Sequence, residues 1–241
     1  MPPRDKNQYL FYYYDQGIGV DNYNVVTLFD LANIIADEST QNLIDAAADN
    51  SRKLPCYVTS GQVRFAVKGE GERIRHRAAV IFIDIDKTRD GVRLTPEQSA
   101  DLVERIKKDC PYWVLIYRSK SVRGVHLLMR SARIPQSADE AKHAHIKATT
   151  WFEKTYPQYT VDKNTRTEPR IAYLSHDPDV DYRQPDEADI FQYATPPKPA
   201  AKKQGKPHVL DEVNSIFVKA ALDGMQKIQP CLLYTSPSPR D

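Results

Sequence analysis

The sequence predicts an α+β domain whose sheet contains antiparallel strands and whose helices pack on one side of it. The first observation is an unbroken apolar run at 78–83 (AAVIFI), which is typical of a strand buried on both faces. The second is the order of the elements from that run onward: strand, helix, strand, strand, helix, strand. This order is the arrangement of ferredoxin-like domains and RNA-recognition motifs.

Each element after the first strand has its own signal. The Thr-Pro-Glu sequence at 95–97 is typical of a helix start, because threonine is a favourable N-cap and proline suits the first turn. A long helix rich in Ala, Lys and His is predicted over 137–156. Further strands are predicted at 112–117, 125–129, 159–161 and 171–174.

Upstream of the apolar run, residues 1–26 are rich in tyrosine and predict a short strand or an extended lead-in. We expect these rings to cover the edge of a core rather than to stack on bases. Residues 26–48 have helical spacing and predict two helices broken near Ser39. Alternation at 56–59 and 63–67 predicts a hairpin around Ser60-Gly61.

Composition bounds the class of protein. Of the 241 residues, 41% are hydrophobic and 27% charged, which is ordinary for a globular protein with a real core. No apolar stretch reaches the roughly 20 residues of a membrane span, and no signal peptide is expected. The three cysteines contain no C-x-x-C pair, so neither a zinc site nor a disulfide framework is expected, and the compartment is expected to be reducing.

The C-terminal part changes in character. We predict a catalytic-type domain at 1–194, a Pro/Lys-rich linker at 195–207, and the start of a truncated following region with an amphipathic helix at 208–230. The last eleven residues, 231–241, match the translation of a transposase sequencing adaptor, and we expect them to be an artefact.

Two carboxylates follow the apolar strand. Asp84 and Asp86 are separated by one residue, so alternation places them on the same side of the strand. Two carboxylates so close repel unless a proton or a cation lies between them, and hard oxygen ligands suit Mg²⁺ or Mn²⁺. The alternative is that the strand runs into a polar turn and both groups are solvated.

The loop after the strand at 112–117 combines hydroxyls, cations and an imidazole. Within 118–126 (RSKSVRGVH), Ser121, Arg123, Gly124 and His126 form a set that suits phosphate oxygens. The alternative is an ordinary hairpin turn with charged side chains.

A third group of polar residues comes later in the chain. Asp162 ends a short predicted strand and could supply a third metal ligand, while Arg170 opens the next strand and could bind phosphate. Asp177 competes for the third-ligand role, although it lies in a turn-like D-P-D sequence and could simply cap that turn.

Together, the hhhDhD strand, the S-x-x-G-x-H loop and the later hD before an Arg-led strand resemble the archaeo-eukaryotic primase superfamily. Within it, the chain is most similar to the VirE-like N-terminal domain of bacterial and phage mobile-element replication proteins. Lys53-Leu54-Pro55 with Ser60-Gly61 and the closing SHDPD at 175–179 belong to the same pattern, which covers roughly 28–195.

The resemblance implies a primase-polymerase fold and a role for each matching residue. Asp84, Asp86 and Asp162 would hold two divalent ions, Mg²⁺ or Mn²⁺, that activate a 3′-hydroxyl and neutralise pyrophosphate. Ser121, Arg123, Gly124 and His126 would contact the nucleotide triphosphate, with Arg170 on a phosphate. The partners would be a single-stranded DNA template, (d)NTPs and a fused C-terminal helicase or P-loop ATPase, in the cytoplasm of a bacterial or phage-infected cell.

The loop departs from the family pattern S-P-S-G-x-G-x-H at two positions. Lys120 and Val122 replace the proline and the first glycine. Because valine disfavours positive φ, we expect no tight backbone turn at Val122.

Three functions are compared. The first is a primase-polymerase nucleotidyltransferase, and the second is a catalytically silent module of the same fold that binds DNA or a partner. The third is a metal-dependent nuclease or a relaxase-like initiator with an H-x-H pair. His143 and His145 have that spacing, but they fall on a predicted helix, where such residues do not share a face.

Template binding is expected to be electrostatic, through basic side chains that include Arg73, Arg75, Arg77, Arg118, Lys120, Arg123, Arg130 and Arg133.

Overall fold

The structure is a computed structural model that describes residues 6–17, 23–63, 74–166 and 170–194. All of these residues belong to one compact unit. The predicted linker, truncated region and adaptor at 195–241 lie outside the described residues and stay predictions. No described helix is both long enough and apolar enough to cross a membrane.

The described part of the chain contains four α-helices and twelve strands. The helices are α1 (Leu28–Ala36), α2 (Glu38–Ala46), α3 (Pro96–Asp109) and α4 (Ala138–Thr155). The first six strands are β1 (Leu10–Tyr14), β2 (Asn24–Thr27), β3 (Cys56–Val58), β4 (Gly61–Val63), β5 (Ile74–Arg77) and β6 (Val80–Ile85). The others are β7 (Lys87–Thr88), β8 (Trp113–Arg118), β9 (Val125–Arg130), β10 (Tyr159–Thr160), β11 (Ile171–Tyr173) and β12 (Asp181–Tyr182).

The central sheet has the antiparallel order β12-β8-β9-β6. The short strand β7 continues the chain just past β6, and β10 pairs with it in antiparallel fashion. The Asp162 N–H also donates to Asp84 O at 2.9 Å, which extends this pairing to the end of β6. The ferredoxin-like strand order is therefore present, and the predicted α+β class is confirmed.

The two faces of the central sheet have different coverings. Ile83 and Ile85 belong to the core formed with α3 and α4, which both pack on one face as predicted. Phe82, the residue before Ile83, belongs to the opposite core, together with Phe11 and Leu31 from the N-terminal region. Because β6 is covered on both faces, its continuous apolar sequence is explained.

The covering of the second face is a further antiparallel sheet with the order β11-β3-β1-β2. Its tyrosines Tyr12 and Tyr14 are buried, which confirms that these rings belong to a core. The predicted hairpin of 56–59 with 63–67 is wrong in the described part: β3 pairs with β1 and β11, whereas β4 pairs with β5. Gly61 has φ +107°, and a Cβ there would lie 2.5 Å from the Ala78 nitrogen. The glycine therefore allows β4 to approach the end of β5 closely, where Gly61 pairs with Arg77.

Capping residues fix where the helices begin. Thr95 caps α3 and forms a capping box with Gln98, as the Thr-Pro-Glu signal predicts. The break between α1 and α2 falls at Asp37, whose side chain accepts a hydrogen bond from the Ser39 N–H and caps α2. The predicted break near Ser39 is therefore confirmed, and its cause is the carboxylate that precedes the serine.

Candidate active site

A cleft of about 770 Å³ opens at the end of β6, between the central sheet and the β11-β3-β1-β2 sheet. Its lining includes the carboxylate of Asp84 on β6, the carboxylate of Asp86 just after that strand and the imidazole of His126 on β9, together with basic and hydroxyl side chains. The polar lining residues are Asp84, Asp86, Arg93, Ser119, Lys120, Ser121, Arg123, His126, Thr165 and Arg170. The structure thus brings together residues from five separate segments of the chain.

Asp84 and Asp86 both line this cleft, so they share a side of the strand as predicted. The pKa of Asp84 is raised to about 6, mainly by burial and then by the nearby charge of Asp162, while Arg170 acts in the opposite direction. The pKa of Asp86 is raised mainly by burial and then by Asp84. The Oδ1 atom of Asp84 is buried and has no hydrogen-bond partner among the described residues.

His126 lies directly opposite Asp84 in the β6–β9 ladder. Its Nε2 is 3.5 Å from Asp84 Oδ1, and its Nδ1 is buried without a hydrogen-bond partner in the described part of the chain. Phe82 and Tyr117 contact the imidazole edge to face, with ring centroids 5.3 and 4.8 Å away. Burial lowers the pKa of His126 to about 4, so the imidazole is neutral at pH 7.

The loop between β8 and β9 is a tight turn. The Val122 N–H donates to Ser119 O at 2.7 Å, and the Ser119 N–H donates to Gly124 O at 2.8 Å. Val122 takes φ +57°, so the expectation that valine would prevent this turn is wrong. Val122 is 39% exposed, so this strained residue lies at the surface of the loop.

Gly124 lies against the carboxylates. A Cβ at this position would overlap Asp86 Oδ1 and would lie 2.9 Å from Ser119 Oγ. A larger residue here would force the Asp86 carboxylate to move, so the glycine couples the loop conformation to the position of that carboxylate.

Asp162 follows β10 and is held by its backbone beside Asp84. Its side-chain Oδ1 accepts a hydrogen bond from the Asn164 N–H at 2.9 Å, and its carbonyl accepts one from Thr165 Oγ1 at 2.6 Å. The same Thr165 hydroxyl lies 2.8 Å from His145 Nε2 on α4. Helix α4 therefore positions the turn that contains Asp162.

Two basic residues form the wall opposite the loop. Arg170 lies just before the start of β11, where the Thr59 N–H donates to Arg170 O at 2.9 Å. Arg93 reaches the cleft because the chain folds back after β7, and its charge lowers the pKa of Asp86 against the larger effect of burial. Sequence reasoning missed Arg93, since only this fold-back, through Gly91 at φ +82°, distinguishes it from other exposed arginines.

Asp177 is a structural residue in this arrangement. It is 3% exposed, and its carboxylate accepts hydrogen bonds from the Arg118 N–H at 2.6 Å and the Arg118 guanidinium at 2.8 Å. Asp179 contacts the same guanidinium at 2.9 Å. Of the two interpretations of Asp177, the structure favours the turn-stabilising one, and it places the Arg118 guanidinium on carboxylates.

The other basic residues predicted to contact DNA have different surroundings. Lys120 and Arg123 are exposed at the cleft. Arg77 and Arg130 are buried, and Arg130 donates to Ala188 O. Arg73 and the side chain of Arg75 lie outside the described residues.

The donor chemistry fits a divalent cation held by Asp84 and Asp86. Both are oxygen ligands, their pKa values are raised mainly by burial and then by a neighbouring carboxylate (Asp162 for Asp84, Asp84 for Asp86), and the buried Oδ1 of Asp84 has no hydrogen-bond partner among the described residues. Within the described ranges, no group of three or more His, Cys, Asp or Glu side chains is arranged to hold a metal ion. Asp162 as a third ligand therefore stays a prediction.

Comparison with known proteins identifies the family. The family model for the BT4734-like N-terminal domain matches residues 49–182, a range that contains Asp84, Asp86, His126 and Asp162. The chain belongs to the BT4734-like N-terminal domain family. No curated protein matches.

Among solved structures, the chain is similar to the polymerase domain of Mycobacterium tuberculosis Ligase D in complex with DNA. The identity is 12%, the TM-score is 0.34, and the match covers 72% of this chain and 58% of that one. The chain thus spans less than two thirds of that structure.

Proposed function

We propose that the chain is a primase-polymerase nucleotidyltransferase domain of a mobile-element or phage replication protein, which adds nucleotides to a nucleic-acid 3′-hydroxyl. The proposal rests on one observation: Asp84 Oδ1 is buried without a hydrogen-bond partner at the floor of a cleft whose walls contain Arg93, Lys120, Arg123 and Arg170. A buried carboxylate oxygen favours a cation, and the basic walls suit the phosphates of a nucleotide.

The metal in this proposal is Mg²⁺ or Mn²⁺, as two ions. Asp84 and Asp86 would hold it, with Asp162 as the third carboxylate, and it would activate the 3′-hydroxyl and offset the charge of the leaving pyrophosphate. Asp84 is on β6 and Asp86 comes directly after its last residue, Ile85, so the backbone of the central sheet determines the spacing of the two carboxylates.

The triphosphate in this proposal lies against the loop between β8 and β9. Lys120 and Arg123 supply positive charge, Ser121 supplies a hydroxyl, and Gly124 lets the backbone approach Asp86. His126 is neutral at pH 7, so it offers one donor and one acceptor without adding charge. Arg170 binds phosphate from the opposite wall.

The partners follow from this chemistry. A primase-polymerase domain acts on a single-stranded DNA template and consumes (d)NTPs, and we propose that a helicase or P-loop ATPase is fused after it. The cellular location in the proposal is the cytoplasm of a bacterial or phage-infected cell.

The test is nucleotide incorporation on a primed single-stranded template with Mg²⁺ or Mn²⁺. We expect Asp84→Asn/Asp86→Asn to reduce the rate at least about a hundredfold, since the variant removes the charges that hold the metal. Asp90→Asn, an exposed carboxylate a few residues away, is the matched control and should keep the wild-type rate. An equal rate in the double variant and the control would contradict the assignment of the site.

The silent binding module remains the second candidate, because one observation favours it. The Asp162 carboxylate already accepts a hydrogen bond from the Asn164 N–H, as expected of a residue that stabilises a turn. Under this alternative, neither wild type nor variant incorporates nucleotides, and both bind single-stranded DNA equally well.

A further inference from the structure

A second, smaller cavity of about 40 Å³ lies beside the cleft, along the edge of β6. Helix α4, the turn after β3 and the turn after Asp162 enclose it. It shares Phe82, Thr165 and Arg170 with the cleft, so the two spaces are neighbours that meet at the Arg170 side chain.

The lining of this cavity is basic. Arg77, Arg166 and Arg170 contribute to it, together with the hydroxyl residues Thr59 and Ser60, and its described lining contains no carboxylate. Two buried polar atoms of this lining, Ser60 Oγ and Arg166 Nε, have no hydrogen-bond partner in the part of the chain that the structure describes. Buried polar atoms are normally satisfied, so this pair of a hydroxyl and a guanidinium N–H indicates a missing ligand.

Neighbouring polar groups are already engaged. The nitrogens of His145 lie 2.8 Å from Thr165 Oγ1 and 3.3 Å from Thr149 Oγ1. Arg77 lies close enough to Glu140 to lower the pKa of that carboxyl, after the larger effects of its hydrogen bonds and of Arg133. The groups available to a ligand are therefore Ser60, Arg166 and Arg170.

We propose that this cavity is a phosphate subsite separate from the carboxylates, with Arg166 and Ser60 as its binding residues and Arg170 shared with the cleft. Arginine forks and hydroxyls are the groups that bind phosphate oxygens in proteins. A buried water needs about 10–15 Å³ of cavity volume. The space of about 40 Å³ therefore holds about three waters or one tetrahedral oxyanion, but not a nucleoside.

Which molecule carries the phosphate is inferred from the proposed function, and this part of the inference rests on it. The phosphate is either a backbone phosphate of the nucleic-acid strand or a phosphate of the nucleotide in the cleft. In both cases the cavity would fix the position of a substrate relative to Asp84 and Asp86, which line the cleft together with Arg170.

The experiment compares Arg166→Gln with Lys163→Gln in the full chain. Lys163 is an exposed cation on the same turn and does not line the cavity, so it is a matched control. The probes are a fluorescent dT20 strand over a range of salt concentrations and dATP, both without divalent cation. A protein that incorporates no nucleotides can still bind these probes through the cavity. The binding test can therefore support or contradict the subsite whatever the incorporation assay shows.

Two outcomes support the subsite and show whether its phosphate belongs to a nucleic-acid strand or to a nucleotide. If a strand phosphate occupies it, Arg166→Gln lowers the salt slope of dT20 binding by about 0.7, the value for one contact on a single strand. If a nucleotide phosphate occupies it, the Kd of dATP rises about tenfold, as expected for loss of a charged hydrogen bond. Arg166→Lys should restore part of either loss, because it keeps the charge without the fork.

Ser60→Ala is the second variant, and it guards against misfolding of Arg166→Gln. Loss of the hydrogen bond from the serine hydroxyl to the charged phosphate should weaken binding of the same probe by about tenfold, with the thermal unfolding midpoint unchanged or raised. The proposal is overturned if Arg166→Gln and Ser60→Ala bind both probes as tightly as Lys163→Gln does.

Discussion

At the scale of single residues, the loop over the carboxylates shows how a local penalty can be tolerated. Val122 has φ +57° although it is β-branched, and it is held there by the hydrogen bonds of Ser119 with Val122 and Gly124. Such a conformation costs about 1–2 kcal/mol in a residue with a Cβ. At Gly124, two residues further on, a side chain is disfavoured for a different reason: its Cβ would overlap Asp86 Oδ1.

Val122→Gly should therefore stabilise the protein, by up to about 1 kcal/mol. Glycine removes the strain of the left-handed conformation, and the gain is reduced by about 0.5–1 kcal/mol because glycine has more freedom in the unfolded chain. Urea unfolding followed by circular dichroism measures the difference.

Val92→Gly is the control for this substitution. Val92 is also an exposed loop valine, at 63%, but it is not among the residues with positive φ. Its replacement should destabilise by about 0.5–1 kcal/mol through the unfolded state alone. The same sign of effect at both positions would show that Val122 is not strained.

At the scale of secondary-structure elements, the base of the same loop is held by a segment from far along the chain. Asp177 follows β11 and binds both the backbone and the guanidinium of Arg118 at the end of β8. Ser175 Oγ donates to Arg118 O at 2.5 Å, which adds a second tie between the same two segments. The motif at 175–179 therefore belongs to the support of the cleft rather than to its lining.

Asp177→Asn should cost about 3 kcal/mol of folding free energy, because it leaves the Arg118 guanidinium facing a buried neutral amide. Asp179→Asn removes the other carboxylate on the same guanidinium, but Asp179 is 79% exposed, so its replacement should cost less than about 1 kcal/mol. Chemical denaturation of both variants gives the comparison. Equal costs would mean that burial does not distinguish the two ion pairs.

At the scale of the whole molecule, the near-neutral net charge of +2 conceals an uneven distribution. Lys120, Arg123 and Arg170 face one cleft, whereas Arg118 and Arg130 are paired inside the protein. A strand bound in the cleft should therefore be held by few phosphate contacts, and affinity should depend on salt accordingly.

Lys120→Gln/Arg123→Gln should lower the salt slope of single-stranded DNA binding by about 1.4, because each contact with a single strand contributes about 0.7. Lys147→Gln/Lys154→Gln removes the same charge from exposed positions on α4 and should leave the slope unchanged. Fluorescence anisotropy at several salt concentrations measures both. A similar slope change in the two double variants would indicate a response to net charge and not a cleft interface.

Much of this arrangement follows from the sequence alone, because it depends on local periodicity. The apolar run of β6 predicts a strand buried on both faces, alternation puts Asp84 and Asp86 on one side, and Thr95-Pro96 begins α3. These features depend on neighbours in the chain, so short-range patterns are sufficient to predict them.

Only the tertiary structure decided which distant groups meet. The strand order places His126 opposite Asp84, the second sheet recruits β11 and with it Arg170, and the fold-back after β7 adds Arg93. The pairing of β3 with β1 and β11 instead of β4 is likewise set by contacts far apart in sequence. The buried atoms without partners, Asp84 Oδ1, Ser60 Oγ and Arg166 Nε, have no sequence signal at all, because burial depends on the atoms that the fold packs around each group.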